Sequence, residues 1–248
     1  MIKLFHLFLI IVTVVALSAC ASNGNSQLPL TLTKISATTK PTPNLFVMFP
    51  GINSPGTDFI HYGFVEMFRK KYPNVDIVLV DTRLAYITAG NIAERIQHDV
   101  ILPALNSGYK NIWFMGISLG GLSALTYHQT YHTPIKGIVL IAPYLGTQYP
   151  VDDLLSSHLP PAVWSRQQRQ SSNKTVQLWR HILEITMDKD SGLQLFLGYG
   201  DSDRYNTSHR FLARLLDSKK VFIEKGGHNW TVWKKLWQTM LNANVFTF

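Results

Sequence analysis

The 248-residue chain has 23 lysines and arginines against 15 aspartates and glutamates, a formal net charge of +8, and is 46% hydrophobic, 12% aromatic and only 15% charged. That composition excludes an intrinsically disordered chain, and the length suits one compact α/β domain with a sizeable core. The positive charge is compatible with an anionic membrane surface or an anionic substrate. No compact basic cluster interleaved with aromatics stands out, so no nucleic-acid partner is expected.

Residues 1–19 read as a processing signal, because Lys3 precedes an apolar stretch over 7–17 that ends in small residues. The stretch is too short for a comfortable membrane span. Its ending, Leu17-Ser18-Ala19-Cys20, resembles the lipobox of bacterial lipoproteins, in which cleavage precedes the cysteine and the cysteine takes the lipid. The resemblance implies a membrane anchor at Cys20 in the bacterial envelope, the alternative being an ordinary signal with an incidental cysteine. Ala21 stands where an aspartate retains many such proteins at the inner membrane, which favours the outer membrane facing the periplasm if the source is Gram-negative. Cys20 is the only cysteine, so no disulfide is expected. Residues 20–43 turn to Ser, Thr, Asn, Lys and Pro and read as a linker, leaving 44–248 as the folded domain.

Within that domain, short apolar runs rich in β-branched residues predict buried parallel strands over 45–49, 76–80, 111–115, 137–142, 193–197 and 221–223. Helical spacing lies between them, over 59–71, 91–105, 119–132, 208–216 and 230–242. The alternation predicts βαβ units, a mostly parallel sheet covered on both faces, and reactive groups gathered at the carboxyl ends of the strands. One interval, 143–191, is far longer than the roughly dozen residues a crossover needs. It contains a helix-like segment over 176–187 and reads as an inserted lid or pocket wall at about 144–191.

Gly116-Ile117-Ser118-Leu119-Gly120-Gly121 follows a predicted strand and opens a predicted helix, the context a strained nucleophile turn needs. A side chain at Gly116 or Gly120 would strike neighbouring backbone, and the helix behind Ser118 aims N–H groups at the position of an oxyanion. A serine needs a base to take its proton. His228 follows the last predicted strand within Lys225-Gly226-Gly227-His228-Asn229-Trp230. Between serine and histidine, Gly198-Tyr199-Gly200-Asp201-Ser202-Asp203-Arg204 offers two acids, and spacing alone does not choose between Asp201 and Asp203. The chain order serine, aspartate, histidine is that of the α/β-hydrolases.

On the GISLGG, GYGxxDR and GGHxW-type segments, the region over 45–242 resembles the α/β-hydrolase superfamily. The resemblance implies a reduced α/β-hydrolase fold and acyl transfer in which Ser118 attacks a carbonyl, His228 relays the proton and Asp203, the aspartate directly before arginine, orients the imidazole. It implies backbone oxyanion donors at Leu119 and, on the loop reading Phe49-Pro50-Gly51-Ile52 where the superfamily often has His-Gly, at Ile52. Of the two strands that usually precede this point, residues 28–35 would supply at most one. The expected substrate is a small ester or other acyl compound, with no cofactor and no metal. A peptidase or amidase on the same fold, and an inactive hydrolase-fold binding lipoprotein, are the alternatives. His128 and His132 lie four apart on a predicted helix but lack the glutamate and third ligand of a metal site. Tyr144, Tyr149, Trp164 and Trp179 either wall an acyl pocket or pack the insertion down. Asp99 reads as a solvated position.

Overall fold

A computed structural model of the protein describes residues 27–38, 41–131, 133–188, 190 and 192–248. The expected signal segment and Cys20, like His132, lie outside the described residues.

The elements in chain order begin with β1 (Leu32–Ile35), β2 (Asn44–Phe49), the short α1 (Asp58–His61), α2 (Phe64–Lys71), β3 (Asp76–Val80) and α3 (Leu84–Thr88). Next come α4 (Ile92–Ile96), a π turn (Gln97–Ile101), α5 (Leu102–Asn106), β4 (Asn111–Ile117), α6 (Leu119–Thr130) and β5 (Gly137–Ile141). The long interval then folds as α7 (Tyr149–Ser156), α8 (Pro161–Gln167) and α9 (Lys174–Met187). The chain closes with β6 (Gln194–Gly200), α10 (Asn206–Leu215), β7 (Val221–Glu224) and α11 (Trp230–Asn242).

The strands form one seven-stranded sheet in the order β1-β3-β2-β4-β5-β6-β7. All neighbours are parallel except β1, which pairs antiparallel with β3. Residues 32–35 fall inside the stretch read as a linker, so the sheet begins before residue 44. Their pattern, Leu-Thr-Lys-Ile, suits an edge strand with one wet side, which a search for continuous apolar runs passes over. Two further differences have local causes. The expected helix over 59–71 is cut at Gly63, which sits at φ +79°, a conformation that ends one helix before the next begins. The helix over 91–105 contains the π turn because Pro103 has no N–H to give the carbonyl four residues earlier.

Alternating residues of each strand feed two cores. Leu45, Val47 and Phe49 of β2 pack with α4, α6, α9 and α10, whereas Phe46 and Met48 pack with α1, α2 and α11. Asp99, expected to be solvated, is a correction: it accepts from Leu30 N at 2.8 Å and pairs with Arg95 at 2.8 Å, fastening the segment before β1 to the π turn.

The strand order reverses at β2, whose neighbours are β3 on one side and β4 on the other, so crossovers leave in opposite directions and a crevice opens at the strand ends. Phe49 at the end of β2 stands beside Gly116 near the end of β4. The loop after β2 and the turn carrying Ser118 therefore meet across this crevice.

Candidate active site

Ser118 occupies the turn between β4 and α6 with φ 51° and ψ −114°, outside the regions an L-residue prefers. The glycines around it make that turn possible. A Cβ on Gly116 would lie 2.4 Å from the Gly120 carbonyl, and one on Gly120 would lie 2.0 Å from Phe49 O. The N–H groups of Gly121 and Tyr144 both donate to Ser118 O, at 3.0 and 2.9 Å, and fix the turn from behind.

Ser118 Oγ lies 2.9 Å from His228 Nε2, and His228 Nδ1 lies 2.8 Å from Asp203 Oδ2. Three segments far apart in sequence thus converge in one chain of hydrogen bonds. His228 sits between β7 and α11, whose N-cap Asn229 accepts from Val232 N at 3.1 Å. Its ring meets the rings of Tyr205 and Trp233 edge-on, with centroids 5.2 and 4.9 Å away. These flanking contacts restrict rotation of the imidazole.

Asp203 is buried, and burial by itself raises a carboxyl pKa. Hydrogen bonds from His228 and from Tyr205 N–H, with the nearby His228 and His209, outweigh burial and hold Asp203 below the usual carboxylate range. Asp201 does something else. Its Oδ1 accepts from Gly226 N and Ser202 Oγ, both at 2.9 Å, which ties the loop after β6 to the loop bearing His228. The geometry thus separates the two acids: Asp203 touches His228, while Asp201 braces the loop. A Cβ on Gly200 would lie 2.2 Å from Gly226 O, so these loops pack backbone to backbone.

Leu119 begins α6, and the N–H groups of a helix's first turn have no intrahelical acceptor. Ile52 is the second residue of a turn closed by Ser54 N–H to Gly51 O at 3.3 Å, a bond that does not use its own N–H. The loop abuts the serine, since a Cβ at Gly51 would lie 3.6 Å from Ser118 Cβ. Asp81, which carried no sequence signal, holds this loop by accepting from Gly56 N at 2.6 Å.

A cavity of about 490 Å³ runs along α6, with Ile87, Ile92, Leu122, Tyr144 and Leu178 among its lining residues. Two of these residues, Leu122 and Tyr144, donate their backbone N–H to Ser118 O, which ties the cavity wall to the serine turn, while Ser118, Asp203 and His228 do not themselves line it. Of the aromatics in the insertion, Trp164 and Trp179 are buried in the core, Tyr149 is exposed, and Tyr144 lines the cavity. His128, set aside as a metal ligand, makes a 3.0 Å contact with His181 that joins α6 to α9. Among the described residues no cluster of histidine, cysteine or carboxylate side chains fits a metal ion.

No family model and no curated protein matches the sequence. Solved structures do match in shape. An S-formylglutathione hydrolase of Staphylococcus aureus aligns with a TM-score of 0.58 at 14% identity, over 88% of this chain and 90% of that one. A ferulic acid esterase aligns at 0.57 and 15%, over 88% and 99%. A fluorophosphonate-binding serine hydrolase of Staphylococcus aureus aligns at 0.55 and 12%, over 89% and 100%. With its parallel sheet, antiparallel edge strand and strained serine turn after the central strand, the chain has the α/β-hydrolase fold.

Proposed function

We propose that the protein is a serine hydrolase that cleaves a carboxylic ester or thioester through an acyl-enzyme. The observation that carries this reading is the run of hydrogen bonds from Ser118 through His228 to Asp203, at 2.9 and 2.8 Å. In the proposed reaction His228 Nε2 takes the Ser118 proton as Oγ attacks the carbonyl, then returns it to the leaving group. Asp203 holds Nδ1–H, keeps the imidazole in the tautomer that can accept at Nε2, and stabilises the imidazolium. The N–H groups of Leu119 and Ile52 receive the oxyanion, each contributing on the order of 10² to 10³ in rate. The same residues act on a water molecule to release the acid.

In this reading the cavity along α6 takes the acyl group: Ile87, Leu122 and Leu178 suit a hydrocarbon portion, Gln129, Lys174 and Gln177 add polar wall, and the volume falls within the roughly 300–1,000 Å³ range of small-molecule sites. The ferulic acid esterase and the fluorophosphonate-binding serine hydrolase among the structural neighbours support the same chemistry. We also propose that Cys20 carries a lipid anchor in the bacterial envelope. The supporting feature is the Leu17-Ser18-Ala19-Cys20 sequence, and no helix among the described residues is long and apolar enough to cross a membrane. A fluorophosphonate probe is expected to label the wild type and not Ser118→Ala, and labelling that persists in the variant would refute the nucleophile. Metabolic labelling with a fatty acid should mark the wild type and not Cys20→Ala.

A further inference from the structure

Behind Asp203 lies a second histidine that the proposed chemistry does not use. His209, on the first turns of α10, is completely buried. Its Nε2 is 2.8 Å from Pro143 O, and a carbonyl only accepts, so Nε2 carries the proton. Its Nδ1 is buried with no hydrogen-bond partner and lies 4.0 Å from Asp203 Oδ1.

Pro143 is not a neutral attachment point. It follows β5, its neighbour Tyr144 donates to Ser118 O at 2.9 Å, and a Cβ on Gly121 would lie 2.8 Å from its own Cβ. Pro143 therefore belongs to the backing of the serine turn, while His209 belongs to the helix that follows the Asp203 loop. The His209–Pro143 bond thus joins the helix that follows the Asp203 loop to the backing of the serine turn.

We propose that His209 is a positioning residue: its Nε2–H sets the distance between the Asp203 loop and the serine turn, and its bare Nδ1 brings Asp203 no donor that competes with His228. This inference rests on the reading of Ser118, His228 and Asp203 as the reacting groups. A lone pair facing Asp203 Oδ1 offers that oxygen no bond. Oδ1 keeps the Tyr205 N–H at 2.9 Å and Oδ2 keeps His228. A proton on Nδ1 reverses this, because an imidazolium at 4.0 Å becomes a rival for the carboxylate charge that His228 needs during turnover.

The ionisable groups facing His209 are Tyr199 from β6, Asp203 and Tyr205 from the loop after it, and His228 from the loop after β7. Burial pushes the His209 pKa below the ordinary histidine value, the Pro143 bond and Asp203 oppose that shift, and His228 adds to it. A histidine whose folded pKa is lowered favours the folded state above its unfolded pKa, about 6.5. It gives up that stability as pH falls from there through the folded value.

The test uses the wild type first. Nitrogen-15 NMR of the His209 ring at pH 7.5 should show the neutral form protonated at Nε2, and an Nδ1–H tautomer or an imidazolium would overturn the proposal. His209→Gln keeps an N–H for Pro143 without a titratable nitrogen, whereas His209→Phe keeps bulk without a donor. The Phe variant should lose about tenfold in kcat with KM within about twofold, the size of one lost hydrogen bond, and the Gln variant should stay within about threefold. The Gln variant should also lose activity and melting temperature less steeply than wild type as pH falls below about 6.5. Equal kcat losses in both variants with pH profiles superimposable on wild type would assign His209 to packing alone. If the Phe variant does not fold, the NMR and the Gln profiles still decide. Failure of wild-type Ser118 to react with a fluorophosphonate would instead sink the reaction itself.

Discussion

The two faces of the sheet are built differently. On the face covered by α2 and α11, rings fill the space: Phe46 stacks on Phe68 with centroids 4.4 Å apart, and Trp237, Phe246 and Trp113 close around them. On the other face the core is mainly aliphatic, and the insertion joins it through Trp164, Trp179, Ile182 and Leu183. That second face keeps the cavity along α6, with Leu122 and Tyr144 in its wall. Packing on one face fixes the frame, and incomplete packing on the other leaves room for a substrate. The aromatic face is tied to the site by α11, which buries Trp237 in that core while its first turn sets Trp233 against the His228 ring.

The contrast can be broken or sharpened by substitution. The largest effect is expected at the strand-end loops, where Asp203→Asn should lower kcat by about 10³ to 10⁴ because the imidazole loses its tautomer control. Asp201→Asn should cost about tenfold or less, since it loosens the Gly226 tether without touching His228. Steady-state kinetics on both variants check this, and equal small losses would show that neither acid orients the histidine. Trp237→Ala should lower the unfolding free energy by about 3–5 kcal/mol in denaturant melts. The folded fraction should still label at Ser118, separating the frame from the site. The narrowest effect, confined to long substrates, is expected from Leu122→Trp, which fills part of the cavity. It should raise KM for longer p-nitrophenyl esters about tenfold while leaving the acetate ester nearly unchanged.

How far these features were legible depends on their range. The buried parallel strands β2 to β6 announce themselves because both faces are apolar, and the turn at Ser118 because the glycines are needed within a few residues of it; β7, also expected to be buried, is an edge strand that leaves Ile223 exposed. Asp201 and Asp203 stand two apart, each three residues beyond a glycine. Only the fold shows that one bonds Gly226 N–H and the other His228. The edge strand β1 carries Thr33 and Lys34 and so lacks the continuous apolar signal. Asp81, Pro143, Tyr205, His209 and Trp233 support the site through contacts across loops and helices, and no local pattern advertises them. The same holds for the insertion: its length signals an added element, but the burial of Trp164 and Trp179 and the placement of Tyr144 on the cavity wall emerge only from packing.

The most direct test of the central claim is mass spectrometry of the protein quenched during turnover of p-nitrophenyl acetate. An acetyl group on the peptide containing Ser118, accumulating with the nitrophenol burst and missing from Ser118→Ala, is the predicted result. Turnover at wild-type rates without an adduct on Ser118, or with the adduct on another residue, would contradict it.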